Sequence, residues 1–91
     1  MGSMEPSFEI FYHSDVLKKD LPRISSAEKQ RIKRAVEQKL SFFPHEFGAP
    51  LRHTLKGYWK LRVGDWRVIY RIDGKVLTIL RIGHRREIYE K

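Results

Sequence analysis

The 91 residues include no cysteine. Disulfides and thiolate metal sites are therefore excluded, and the composition suits a reducing compartment, so a cytoplasmic location is expected. No apolar run approaches the roughly 20 residues that a membrane-spanning helix needs, so no membrane partner is expected. A signal-peptide pattern is also missing. His13, His45, His53 and His84 do not have metal-ligand spacing, and no metal or other cofactor is expected. Phosphate-binding glycine loops, nucleophile elbows and zinc fingers are absent as well. With no repeats, low-complexity tracts or long linkers, the chain reads as one domain over residues 4–91. Met1-Gly2-Ser3 ahead of Met4 reads as an expression scar.

What the sequence does carry is positive charge, unevenly placed. Lysine and arginine number 19 against 11 aspartate and glutamate, a net charge of +8. Residues 1–51 hold 8 basic and 7 acidic side chains; residues 52–91 hold 11 basic and 4 acidic. Seven of those late basic residues are arginines, whose planar fork suits paired contacts to phosphate. A solvated surface is the bland reading of such charge. Arginine this dense points instead to a polyanion, either nucleic acid or an acidic protein segment. The densest stretch is RIGHRREIY, from Arg81 to Tyr89.

Phe8–Tyr12 is rich in strand formers. Ser14 is placed to cap a short helix through Asp20, with Pro22 just beyond. Ser25 and Glu28 have capping-box spacing, and the helix they open puts Ile32, Ala35, Val36, Leu40 and Phe43 on one face. Pro44 ends it. Residues 44–57, with two prolines and two glycines, read as a loop with room for a turn of structure.

From Tyr58 the apolar period becomes two. Tyr58–Val63 alternates strictly, Gly64-Asp65 makes a two-residue turn, and Trp66–Ile72 follows. Asp73-Gly74 signals a second turn, and Lys75–Ile82 a last strand. A turn at Gly64-Asp65 sets Val63 opposite Trp66, Leu61 opposite Val68 and Trp59 opposite Tyr70. Burying such side chains contributes ~1.5–3 kcal/mol each, against ~0.2–1 kcal/mol for one cross-strand repulsion. The core thus fixes the register, and Arg62 is forced opposite Arg67. In the last strand Leu77 and Ile79 point one way and Val76, Leu80 and Ile82 the other, so either both faces are covered or a bulge shifts the register. The order β-α-α-β-β-β predicts an α+β fold, with two helices on one face of a small, mainly antiparallel four-stranded sheet.

Two segments carry a family resemblance: LRHTLKGYWKLRVGDWRVIYRI, from Leu51 to Ile72, and LRIGHRREIY, from Leu80 to Tyr89. With the element order and size, they resemble the RelE/ParE superfamily of bacterial toxin–antitoxin toxins over essentially residues 7–91. The resemblance implies a cognate antitoxin and one of two activities. RelE-like members are ribosome-dependent mRNA endonucleases that use the RNA's own 2′-hydroxyl as nucleophile, without metal. ParE-like members poison DNA gyrase. An inactive relative that only binds antitoxin is the third possibility. Arg85 and Tyr89 match the terminal arginine and catalytic tyrosine of the RelE branch, and Lys60 and Arg67 match two further functional positions. Tyr58 and His84 depart from it, each standing where well-known nucleases have lysine.

Cleavage through a 2′-hydroxyl needs a base, positive charge for the phosphorane and an acid for the leaving oxygen. On the resemblance, Lys60 is the charge stabiliser or base, Arg67 and Arg85 hold the scissile phosphate, and Tyr89 or His84 supplies the proton. Arg52, Lys56, Arg62 and Arg86 are expected to tether mRNA or ribosomal RNA. Charge reversal at Arg67 or Arg85 is expected to abolish growth arrest with the domain still folded. Each role has a plainer rival: Lys60 and Arg62 on a solvated strand, Arg67 snorkelling over the sheet edge, Arg85 and Arg86 neutralising Glu87 and Glu90.

Overall fold

Five strands make one sheet: β1 (Glu9–Tyr12), β2 (Ala49–Pro50), β3 (Tyr58–Val63), β4 (Trp66–Asp73) and β5 (Val76–His84), in the spatial order β1-β5-β4-β3-β2. This is a computed structural model, and it describes residues 7–51 and 57–88. The antiparallel hairpin of β3 and β4 has the register that core burial demands: Val63 faces Trp66, Leu61 faces Val68, Trp59 faces Tyr70, and Arg62 faces Arg67. Gly64 holds φ +61° and Gly74 φ +62° in the two turns, a left-handed conformation that glycine adopts without strain. The second turn is Gly74-Lys75, because Asp73 is already paired with Val76.

A bulge resolves the last strand. Tyr70 pairs with Ile79 and Ile69 with Arg81, so Leu80 is the extra residue. Inserting one residue reverses the alternation, and Ile82 joins Leu77 and Ile79 on the buried face. Parallel β1 covers the other edge of β5, pairing Ile10 with Leu77 and Tyr12 with Ile79. The fifth strand, β2, adds two residues to β3; its Gly-Ala-Pro sequence gives no strand signal, and the loop reading of residues 44–57 missed it.

Among the described residues, the helical segments cover one face. The first runs through a π-helical stretch, Val16–Asp20, and a 3₁₀ turn, Leu21–Arg23. Its cap is His13 rather than Ser14: Nδ1 accepts the Asp15 N–H at 3.0 Å. The second is α1 (Ser26–Ala35), opened by the expected Ser25 cap, whose Oγ accepts from the Glu28 N–H. It continues as a wider π-helical stretch, Val36–Leu40. Ile32, Val36 and Leu40 are buried there against Leu61, Val68, Tyr70 and Ile79. Phe43 was expected on this face but is exposed, because the helix has turned out of its regular period before reaching it. A short helix, α2 (Pro44–Phe47), then starts at Pro44. Tyr70, fully buried, ties it to the sheet by donating from its hydroxyl to the Pro44 carbonyl at 2.7 Å.

Candidate nucleic-acid interface

Because the described helices lie on one side, the opposite face of the sheet keeps the residues that the alternation leaves there. Strand pairing arranges those residues in three cross-strand rows. The first is Tyr58, Arg71, Thr78 and Phe11; the second Lys60, Ile69 and Arg81; the third Arg62, Arg67 and Gly83. Five cations thus share one face. Hydrophobic burial on the helix side holds them together, despite a repulsion several times smaller than the burial gain.

The cations are not equivalent. Arg62, Arg71 and Arg81 are exposed and Lys60 half-buried. Arg71 is paired with Asp73 at 3.6 Å. Arg67 is only 7% exposed. Its Nη1 donates to the Gly64 and Trp66 carbonyls, each at 3.0 Å, which anchors the guanidinium over the β3–β4 turn. A Cβ on Gly83 would meet Ile88 Cδ1 at 3.0 Å, so Ile88 lies on this face beside the Arg67 position. That burial alters the expectation for charge reversal at Arg67, which must destabilise the fold as well as change the site.

The turn after β5 is clamped. Arg85 donates its N–H to the Asp65 carbonyl at 2.7 Å, and its Nε lies 3.7 Å from Asp65 Oδ1. Arg85 therefore stands at the end of the third row, beside the β3–β4 turn. Glu87 pairs with Arg23 at 3.4 Å; neither Arg85 nor Arg86 neutralises it, contrary to the plainer reading. Arg86 is exposed, and its N–H donates to His84 Nδ1 at 3.2 Å. His84 itself pairs with Trp66 and packs edge-on against that indole at 5.5 Å. Its ring belongs to the helix side of the sheet, away from the Lys60 and Arg62 rows. Tyr89, Arg52 and Lys56 lie outside the described residues.

The family model for the ParE toxin of type II toxin–antitoxin systems, parDE, matches residues 11–89. The chain belongs to the RelE/ParE toxin superfamily. It is 44% identical to Toxin RelG of Mycobacterium tuberculosis over 54 residues, which is 57% of this chain but only 62% of that toxin. In structure it is similar to the toxin–antitoxin complex RelBE2 of Mycobacterium tuberculosis, with a TM-score of 0.78, 29% identity, and coverage of 91% of this chain and 95% of that one. The archaeal RelE–RelB complex from Pyrococcus horikoshii OT3 gives a TM-score of 0.71 at 26% identity, covering 90% and 99%.

Two cations of this RelE/ParE sheet face, Arg71 and Arg81, were not among the residues the sequence singled out as a site. Arg71 was legible, since it shares its parity with Arg67. Arg81 was not, because its face depends on the bulge at Leu80. Asp20 was also missed. Its Oδ2 accepts the Ile82 N–H at 2.8 Å, where β5 has run past the end of β1 and has no strand partner on that side.

Proposed function

We propose that this chain is the toxin of a type II toxin–antitoxin pair and acts as a ribosome-dependent mRNA endonuclease. The observation that carries the reading is the convergence of Lys60, Arg62, Arg67, Arg71 and Arg81 on the sheet face opposite the helices, with Arg85 at its end. Such a face offers charge to a phosphate chain and to the phosphorane that forms when a 2′-hydroxyl attacks. In this reading Lys60 serves as charge stabiliser or base, and Arg62, Arg81 and Arg85 contact phosphate directly. Buried Arg67 acts by fixing the turn and adding field from below. In this reading Tyr89 supplies the proton for the leaving oxygen, a choice supported by the packing of His84 on Trp66. The ribosome supplies the positioning that a single small face lacks. The RelBE2 and archaeal relatives are toxin–antitoxin complexes, which supports a cognate antitoxin here, with an acidic segment as its natural contact for the cationic face.

The matched family model is that of ParE, and this favours DNA gyrase as the second reading. One experiment separates the two. Purified chain is added to a cell-free translation extract, and the mRNA is mapped by primer extension. New ends inside translated codons, absent without ribosomes and lost in Arg85→Ala, support the nuclease. Intact mRNA together with stabilised gyrase–DNA cleavage complexes would replace it with the ParE-like activity.

A further inference from the structure

The first row of the open face contains more than charge. Phe11 stands at one end on β1, Tyr58 at the other on β3, with Thr78 and Arg71 between them. Three strand spacings separate the two aromatic positions, about 14 Å. Phe11 is 51% exposed, while its neighbours Ile10 and Tyr12 pack against the core on the helix side. A single exposed phenylalanine is ordinary on a protein surface, but this one lies on an edge strand. Such strands usually carry charge or proline against unwanted pairing; β1 carries one charge, Glu9, exposed on the same face two residues from Phe11, and its partner Val76 on the adjacent strand is exposed too. Nothing in the packing requires the ring there, since the core takes only the alternate residues of β1.

We propose that Phe11 and Tyr58 are base-stacking positions for single-stranded RNA, at the two ends of a row that lies outside the cluster around Arg67. The inference rests on the reading of this face as an RNA interface and adds how the flanking nucleotides are held. Charge complementarity selects a polyanion, and an exposed aromatic ring on a cationic sheet face selects one with unpaired bases. A strand running obliquely from the Arg62–Arg67 row reaches the Phe11 row within a few nucleotides. Stacking is tolerant of sequence, so this row would hold the message without choosing its codon.

The test is fluorescence anisotropy of a labelled single-stranded RNA oligonucleotide with the full chain, comparing wild type, Phe11→Ala, Phe11→Leu and Phe11→Trp. Leucine retains apolar area without a π face, so it separates stacking from packing, and thermal melting confirms that each variant folds. Expected are affinities roughly tenfold weaker for Ala and Leu, wild-type affinity for Trp, and quenching of the Phe11→Trp emission by RNA but not by inorganic polyphosphate. Wild-type affinity in Phe11→Leu overturns the stacking role and leaves the ring to a protein partner. Failure of the wild-type chain to bind RNA at all overturns the RNA reading of the whole face, and the stacking positions with it.

Discussion

Arg67 and Arg85 were equal candidates in the sequence, yet they differ in what surrounds them. The guanidinium of Arg67 is enclosed and holds two carbonyls of the turn. Charge reversal there buries a carboxylate against those two carbonyl oxygens and removes the donor they share. A loss of about 3 kcal/mol or more is expected in urea unfolding of Arg67→Glu. Arg85 is 62% exposed in its pair with Asp65, and surface pairs contribute at most about 1 kcal/mol. Arg85→Ala should therefore keep nearly wild-type stability and lose mRNA cleavage, which makes it the cleaner probe of the site. Exposure of this kind is not encoded in residue type or spacing, so the sequence named both arginines but could not separate them. Tyr70 gives a second prediction. Burial pushes its phenol well above the ordinary value near 10. Its contribution is fully present below pH 10 and is lost as pH rises beyond that, when the unfolded chain ionises first. Tyr70→Phe should cost about 0.5–1.5 kcal/mol at neutral pH by removing the shorter of the two hydrogen bonds that the Pro44 carbonyl accepts, the other coming from the Gly48 N–H. It should also flatten the stability loss between pH 9 and 11, measured by the same unfolding assay.

Elements that alternate strictly were legible from the residues alone. The β3–β4 register followed from the size of Trp59, Leu61, Val63 and Tyr70, because a one-residue slip would turn all of them to water. Elements set by long-range contacts were not. β2 consists of an alanine and a proline that become a strand only beside Trp59 and Lys60. The end of β5 is held by Asp20, 62 positions away in sequence, and by the Arg23–Glu87 pair. Both partners come from the corner between the two helical segments, so the helix layer positions the arginine-bearing turn. Asp20→Ala should cost about 1.5–3 kcal/mol and raise amide exchange from Ile82 through Ile88 more than in β3. Asp20→Asn, which retains an acceptor, should recover much of the protection. Uniform exchange across the sheet in Asp20→Ala would show that the carboxylate does not hold this turn in particular.

At the scale of the molecule, the uneven charge of the sequence becomes a two-sided object. The helix layer and its core lie on one side of the sheet, and five of the late cations lie on the other. RNA affinity should therefore fall steeply with salt, with a log–log slope of about −3 if four or five phosphates are neutralised. Arg81→Gln should make that slope shallower by roughly 0.7, while Phe11→Leu should lower affinity without changing it. Salt titration of the anisotropy signal reads both. The bulge in β5 bears on how this architecture tolerates change in length. Pairing on either side of Leu80 is regular, and each flank is in phase with β4 on its own. Removing that one residue would join the two flanks without turning any other side chain to the wrong face, so a chain shortened there keeps both its core and its cationic surface. Loss of a residue from the middle of β4 has no such refuge: it would send either the arginines inward or the aromatics out.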